Sequence, residues 1–355
     1  MYGWNEYHPV WVITTDGVKE ISSLSPGDQL YEYQTKQMMT VLEVLRPEPK
    51  KIFEVEYVDG RKAKFMEDDP IYIGCQKTTR PMDIIQGKKL GYPYPMITFN
   101  GGFGSIPYDA IDYMQSSYPH QKPDPYTAGV LFTFAAYDRD EIGLPEWTNK
   151  THDHICNNYH LKYSYKLNAN GDYFFTPVGG DGHALRWDEF FPTQRCFAKS
   201  SAFVDPIIPK EYKWGTLADR WNYVRGAMDA GFDPNIFIDG VGCASTDEVR
   251  MKELQKIMWG IGIMSELRYD PQSSKKRPWI LELIGRYSRY PGVFNHPDNI
   301  NWAVHLDNHI MDQLPIQMLT ITSMRYLTTG TVPNIKVDGW PKMYYSADFL
   351  PRVTA

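Results

Sequence analysis

Four side chains that could bind a metal ion lie within nine residues of one another, namely His152, His154, Cys156 and His160. Imidazole and thiolate groups are preferred ligands of zinc in proteins. The spacing of these residues matches no known zinc-binding pattern, and such residues are common in the loops of small β domains. We therefore expect no zinc site here.

Acidic residues lie near the ends of two stretches in which small residues recur at helical spacing. The first stretch, residues 124–138, contains Gly129 and ends at Asp138. The second, residues 218–230, contains Gly226 and is followed by Asp233. Because glycine lets two backbones approach closely, we predict two helices packed against each other.

The second stretch and its surroundings resemble the LAGLIDADG family of homing endonucleases. The resemblance is carried by Ile208-Pro209, Arg220, Gly226 and the Ser245-Thr246 start of a later helix. It implies a pseudo-two-fold domain of αββαββ type, a monomer with an internal pseudo-dimer. It also implies one carboxylate at the end of each interface helix, where two acids hold Mg²⁺ for cleavage of double-stranded DNA.

Neither metal-binding position carries an acid. When Gly226 is aligned with the glycine of the motif, the metal-binding aspartate becomes Gly231, and the corresponding alignment of Gly129 places Phe134 there. Aligning Thr133 instead places Asp138 at the metal position, with a poorer match to the motif.

The candidate substitutes, both as catalytic acids and as metal ligands, are Asp138 and Asp233. Asp229 is a poorer one, because it points about 200° around the helix from residue 231. We therefore predict an impaired nuclease, and the sequence leaves open whether the protein is an enzyme.

Basic residues that could bind DNA follow in the same half, namely Lys275, Lys276, Arg277, Arg286 and Arg289. The first three lie at a predicted hairpin tip between strands 264–269 and 279–283. In the family such strands lie in the major groove, so these cations could contact phosphates, although a solvated turn is an equal alternative. The formal net charge of −6 opposes DNA binding, since proteins on DNA normally present a basic surface.

The two ends of the chain resemble a second family. Residues 10–75 show short strand patterns separated by turns, including Thr15-Asp16-Gly17, Pro26-Gly27-Asp28 and Asp59-Gly60-Arg61. Further strand patterns occupy residues 319–326 and 334–338. Together they resemble the Hint domain of inteins and hedgehog autoprocessing proteins, which implies an all-β domain built from both chain ends around an insertion.

Protein splicing, the activity of inteins, requires a Cys or Ser nucleophile, a TxxH motif and a closing His-Asn. The nucleophile position falls near Asn5, the TxxH motif reads Met66-Glu67-Asp68-Asp69, and Val353 and Thr354 stand near the closing position. Because each of these changes impairs splicing, we predict a splicing-inactive domain.

We therefore predict an α+β protein with a Hint-like part at residues 1–100, a LAGLIDADG-like domain at 105–295 and a second Hint-like part at 310–355. No apolar run reaches about 18 residues, so no membrane span is expected. Four scattered cysteines without CxxC spacing fit a reducing compartment, and we expect a cytoplasmic protein.

Three functions remain open. The first is a double-stranded DNA-binding protein of intein descent with an impaired nuclease. The second is an active Mg²⁺-dependent endonuclease. The third is a non-catalytic subunit that binds a protein partner in a larger, possibly phage, assembly, and the acidic balance of the chain leans towards it.

Overall fold

The computed structural model describes residues 6–33, 35, 37–74, 77–90, 96–99, 124–138, 141–158, 162–167, 173–178, 197–200, 203–206, 208, 210–272, 277–306, 317–339 and 342–354. The chain divides into two compact units. The first unit comprises Met1–Pro107 and Gln313–Ala355, and the second comprises Tyr108–Asp312. The chain contains both helices and sheets, which confirms the predicted mixture of α and β structure.

The first unit is built mainly of strands and contains one helix, α1 (Pro81–Lys89), within its described residues. Its strands are β1 (Glu6–Tyr7), β2 (Trp11–Thr14), β3 (Gly17–Glu20), β4 (Gln29–Tyr31), β5 (Met38–Leu45), β6 (Lys50–Tyr57), β7 (Lys62–Met66), β8 (Ile71–Gly74), β9 (Lys77–Thr79) and β10 (Met96–Phe99).

The second unit and the end of the chain supply the remaining described strands. The second unit contributes β11 (Ala136–Asp138), β12 (Glu141–Pro145), β13 (Lys162–Leu167), β14 (Tyr173–Val178), β15 (Phe197–Ser200), β16 (Phe203–Pro206), β17 (Gly242–Ser245), β18 (Ser265–Tyr269) and β19 (Trp279–Leu283). The first unit closes with β20 (Gln317–Thr331), β21 (Asn334–Val337), β22 (Met343–Tyr345) and β23 (Pro351–Val353).

Strands from both ends of the chain share the sheets of the first unit. One sheet has the order β1-β20-β6-β7 with β10 also paired to β20, and the other has the order β21-β5-β4-β2-β3. β20 runs antiparallel to β6, with Met324 opposite Val55, and β21 runs antiparallel to β5, with Ile335 opposite Val44. The unit therefore cannot form from either end alone.

The core of the first unit draws on the same two ends. Val12, Leu30 and Val41 from the early strands pack in one buried cluster with Ile335 and Val337 from the late ones. This follows from the alternation of strands, in which every second side chain faces the core. The predicted Asp-Gly turn before β7 is present, and Gly60 there has φ +81°, a conformation that favours glycine.

The second unit contains six α-helices within its described residues, besides short 3₁₀ helices. They are α2 (Pro125–Phe134), α3 (His152–Asn158), α4 (Lys210–Lys213), α5 (Leu217–Gly231), α6 (Glu248–Gly260) and α7 (Pro297–Leu306). Asp124 caps α2 by accepting a hydrogen bond from the Thr127 N–H at 3.0 Å, and Thr216 caps α5 through the Asp219 N–H at 3.1 Å. The sequence predicted a first helix reaching residue 138, which was wrong, because Ala135 is extended and β11 begins at Ala136.

The second unit repeats one arrangement twice. In the first half, α2 precedes a sheet of order β11-β12-β14-β13, and in the second half α5 precedes a sheet of order β17-β19-β18. A helix lies between the first paired strand and the hairpin in each half, α3 in one and α6 in the other. Within the described residues the second half has no strand equivalent to β11, because residues 234–240 form turns before β17.

None of the described helices is long and apolar enough to cross a membrane.

Candidate functional site

Helices α2 and α5 cross with their backbones in contact. A Cβ atom added to Gly129 would lie 2.0 Å from the carbonyl oxygen of Tyr223, and one added to Gly226 would lie 2.0 Å from the carbonyl oxygen of Tyr126. Gly129 follows Tyr126 by three residues, and Gly226 follows Tyr223 by three residues. Each helix therefore presents the same glycine and the same tyrosine carbonyl to the other. This reciprocity is the signature of an approximate two-fold axis, and any side chain at either glycine would force the helices apart.

The C-terminal ends of the same helices meet at Phe134 and Gly231. A Cβ atom on Gly231 would lie 2.6 Å from Phe134 Cζ and 2.6 Å from Cys243 Cβ, so the phenyl ring fills the space that a side chain would need. The ring of Trp147 packs edge-on against Phe134 at 5.0 Å between centroids. These are the two positions that the sequence alignment assigned to metal-binding acids, and together they offer no side-chain oxygen.

Asp229 lies on another side of α5 and is 1% exposed. Its carboxylate accepts four hydrogen bonds of 2.9 Å each, from the Tyr126 hydroxyl, the backbone N–H groups of Asn295 and His296, and the side-chain amide of Asn299. Burial raises the pKa of Asp229, and these donors oppose the rise. Because Asn295 and His296 directly precede α7, Asp229 fixes the start of that helix to α5.

Asp233 is paired with Arg277. The Arg277 guanidinium donates a hydrogen bond to Asp233 Oδ2 and stacks over the ring of Trp147 at 4.9 Å. Asp233 Oδ1 accepts the backbone N–H of Asn235 at 2.9 Å. Burial raises the pKa of Asp233, but the Asn235 N–H and the Arg277 charge more than offset it, so the pKa lies below its usual value.

The structure describes only some of the residues that were predicted to contact DNA. Arg277, expected at an exposed hairpin tip, is instead 6% exposed, which corrects that prediction for this residue. Arg289 is exposed at the end of the 3₁₀ segment Gly285–Arg289. The backbone of Arg286 lies in the same segment, but its side chain and both Lys275 and Lys276 lie outside the described residues.

Asp138, the other proposed acid, lies at the end of β11, with its backbone opposite Glu141. Its side chain is outside the described part of the structure. The sequence expected it at the end of a helix, whereas α2 ends four residues earlier, at Phe134.

The described side chains of the histidine-rich segment form separate contacts. His152 is buried and hydrogen-bonded to the Thr148 hydroxyl at 2.9 Å, and burial lowers its pKa to about 3. His154 instead bonds to the Asn158 amide at 2.9 Å, and His160 lies outside the described residues. Burial raises the pKa of Cys156 to about 11. The described residues contain no group of three or more His, Cys, Asp or Glu side chains that could hold a metal ion.

The positions aligned with the splicing residues serve as parts of turns and strands in the first unit. Asp69 Oδ2 accepts the Met66 N–H at 2.8 Å, and the Asp69 N–H returns to the Met66 carbonyl at 3.0 Å. Val353 pairs with Met343 in the β22–β23 hairpin, and the Thr354 N–H donates to the Lys342 carbonyl at 2.8 Å.

The first unit also contains a partly buried aspartate, Asp69. Burial raises the pKa of Asp69 above its usual value, while the hydrogen bond from Met66 and the charge of Arg352 oppose this rise. Arg352 stacks on the ring of Phe65 at 4.8 Å. Asn5 lies outside the described residues.

No family model matches the chain, and no curated protein matches it. Among solved structures it is similar to I-DmoI in complex with DNA and Ca, with a TM-score of 0.30 and 8% identity over 51% of this chain and 96% of that one. A second structure, I-DmoI in complex with DNA and Mn, gives a TM-score of 0.27 and 10% identity over 53% and 97%. At such low TM-scores the likeness carries no weight for the fold or the function of this chain.

Proposed function

We propose that the second unit is a LAGLIDADG-type domain that binds double-stranded DNA and has lost its nuclease centre. The observation that carries this proposal is the contact between Phe134 and Gly231, where the phenyl ring lies 2.6 Å from the Cβ position of residue 231. The family resemblance requires two acids at these positions. The reciprocal crossing of α2 and α5, with both helices in one chain, supports a monomer with an internal pseudo-dimer.

The Mg²⁺ that the resemblance implies does not fit the residues present. Magnesium and calcium prefer oxygen ligands in proteins, and Phe134 and Gly231 supply none from their side chains. Asp229 is occupied by four donors, and the half-buried Asp233 forms an ion pair with the buried Arg277. Recruiting Asp233 to a metal would leave the Arg277 guanidinium buried without its counter-charge, which is strongly unfavourable. The side chains present at this centre therefore disfavour an active endonuclease.

DNA binding is proposed from the resemblance together with exposed cations. Arg289 is exposed, and the sequence places Lys275 and Lys276 between β18 and β19. Phosphate contacts from such residues position a protein on DNA without reading its sequence. A duplex can thus be held on a domain that cannot cut it.

The test is a gel-shift and cleavage experiment on the intact protein with duplexes taken from DNA flanking its own gene. We expect retention at about 50 mM salt that weakens steeply as salt rises, because phosphate contacts release counterions. We also expect no double-strand cleavage with Mg²⁺ or Mn²⁺. Cleavage that is lost in Asp138→Asn or Asp233→Asn would restore the endonuclease hypothesis.

A protein-binding subunit is the second candidate, and a specific feature of the β18–β19 hairpin favours it. Glu266 lies directly opposite Glu282 in this hairpin, and Arg268 is shared between Glu282 and Asp270. The two strands of this hairpin therefore carry an acidic excess, which suits a basic protein partner. Absence of DNA retention at about 50 mM salt would favour this candidate, since electrostatic binding is strong at low salt.

For the first unit, we infer a splicing-inactive domain of Hint descent. Both chain ends contribute to its sheets, as the resemblance requires, and Met66, Asp69 and Thr354 are engaged in backbone hydrogen bonds. The residues aligned with the splicing groups include no Cys or Ser that could act as the nucleophile and no His that could act as the acid.

A fusion of the whole chain between two reporter domains tests this inference. We expect one uncleaved species on denaturing gels, because Asn5, at the nucleophile position, has no thiol or hydroxyl group to accept the upstream acyl group. An active intein in the same vector is the control. Appearance of a ligated reporter product or of free flanking domains would contradict the inference.

A further inference from the structure

The two sheets of the second unit can be matched residue by residue through their strand registers. In the first half, Phe175 of β14 lies opposite both Leu144 and Tyr165. In the second half, Leu281 of β19 lies opposite both Cys243 and Leu267. These two rows are equivalent, because each lies two pairs from the pair that ends its hairpin, Leu167 opposite Tyr173 in the first half and Tyr269 opposite Trp279 in the second.

The matched registers reveal a difference in charge. Ser164 of β13 lies opposite Thr176, whereas at the equivalent positions Glu266 lies opposite Glu282. Two like charges directly opposite each other on a sheet are destabilising. The first half therefore has neutral hydroxyl residues where the second half has two acids.

Basic residues show the opposite bias. Lys166 and Arg268 are equivalent. Arg268 Nη1 lies 3.1 Å from Asp270 Oδ2, and Arg268 Nη2 lies 3.5 Å from Glu282 Oε2, so the charge of Arg268 is already paired with two acids. Lys162 is exposed, and its equivalent is the buried Met264, just before β18. In the hairpin strands alone, positive charge is in excess on β13 and β14, and negative charge is in excess on β18 and β19.

The second sheet is also smaller. β11 has no counterpart within the described residues, and the turns that replace it bring Phe237 over β17, where a Cβ on Gly242 would lie 2.3 Å from Phe237 Cε1. The second half thus offers three described strands, where the first offers four.

We infer that the two halves engage DNA unequally, with strand contacts to phosphate concentrated on β13 of the first half, at Lys162 and Lys166, and the second sheet contributing little. This inference rests on the proposed DNA binding and deepens it by naming the half that carries the contacts. It departs from the sequence prediction, in which every candidate DNA-binding cation, Lys275 to Arg289, belongs to the second half, and it gives those cations the smaller share of the phosphate contacts.

The test compares two variants that each remove two positive charges. One is Lys162→Met with Lys166→Met, and the other is Lys275→Ser with Lys276→Ser in the second half. Dissociation constants are measured by fluorescence anisotropy with one duplex from about 50 to 300 mM salt. Each lost phosphate contact lowers the slope of log affinity against log salt by about 0.9, so we expect a loss of about 1.8 for the first variant and less than half of that for the second.

A third variant installs the first-half residues in the second half, Glu266→Ser with Glu282→Thr. We expect tighter binding, because two phosphate-repelling charges are removed, and circular dichroism checks that all three variants remain folded. Equal slope losses in the two lysine variants, a larger loss at Lys275 and Lys276, or unchanged affinity in the glutamate variant would each overturn the inference while leaving DNA binding intact. If the unaltered protein fails to bind the duplex at about 50 mM salt, the proposed function and the inference both fail.

Discussion

We expect Asp229→Ala to lower the free energy of unfolding of the second unit by about 2–5 kcal/mol, since a buried donor that loses its acceptor costs about 1–3 kcal/mol. The substitution removes the acceptor for the Tyr126 hydroxyl, the Asn295 and His296 N–H groups and the Asn299 amide. Each buried donor left without a partner costs free energy in its own right. The measurement is urea unfolding followed by far-ultraviolet circular dichroism.

Asp239→Ala is the matched control, because Asp239 is an exposed acid in the same half. Substitutions at such positions usually change stability by less than about 0.5 kcal/mol. Hydrogen exchange adds a local measurement, since Asp229→Ala should deprotect the amides of Asn295 and His296 before the rest of α7. A loss below about 1 kcal/mol, or unchanged exchange at these two amides, would show that Asp229 does not anchor the start of α7.

Features that depend on neighbours along the chain could be predicted correctly. Gly60 follows Asp59 in a turn, as this pair of residues predicts, and the helix pattern around Gly226 yields α5 within one residue at each end. The structure also separates the two alignments considered for the first helix. Gly129 lies against the carbonyl of Tyr223 and α2 ends at Phe134, which fits the alignment that puts Phe134 at the helix end.

Features set by distant contacts were not predictable. The donors to Asp229 lie at least 66 positions along the chain, and the partner of Asp233 lies 44 positions away, so local patterns could identify neither. The basic run Lys275 to Arg277 looked like a solvated tip, but Arg277 is drawn inward by Asp233 and Trp147. The local sequence around an acid does not show whether its side chain is exposed or is buried with a partner. The sequence alone therefore could not show whether the candidate substitutes are available to bind a metal ion.

The second large effect concerns the contact between Gly231 and Phe134. We expect Gly231→Ala to lower the free energy of unfolding by about 1–3 kcal/mol, as overpacking does in a closed core. Phe134→Ala should cost about 3–5 kcal/mol, because the removed ring leaves a cavity. In the double variant the new methyl group enters that cavity, so the combined cost should fall below the sum of the two by about 0.5–3 kcal/mol.

Relief in the double variant is partial, since Cys243 Cβ would still lie 2.6 Å from the new methyl group. Urea unfolding of the four proteins, followed by the fluorescence of the ten tryptophans, measures the coupling. Additive costs would mean that the Phe134 ring is not what excludes a side chain from position 231.

If the coupling is present, restoring the acid with Gly231→Asp must place a carboxylate against an aromatic ring, where an ion without a partner is strongly disfavoured. Gly231→Asp should then remain without Mg²⁺-dependent cleavage, because both the ring of Phe134 and the missing acid on α2 separate this centre from a working one.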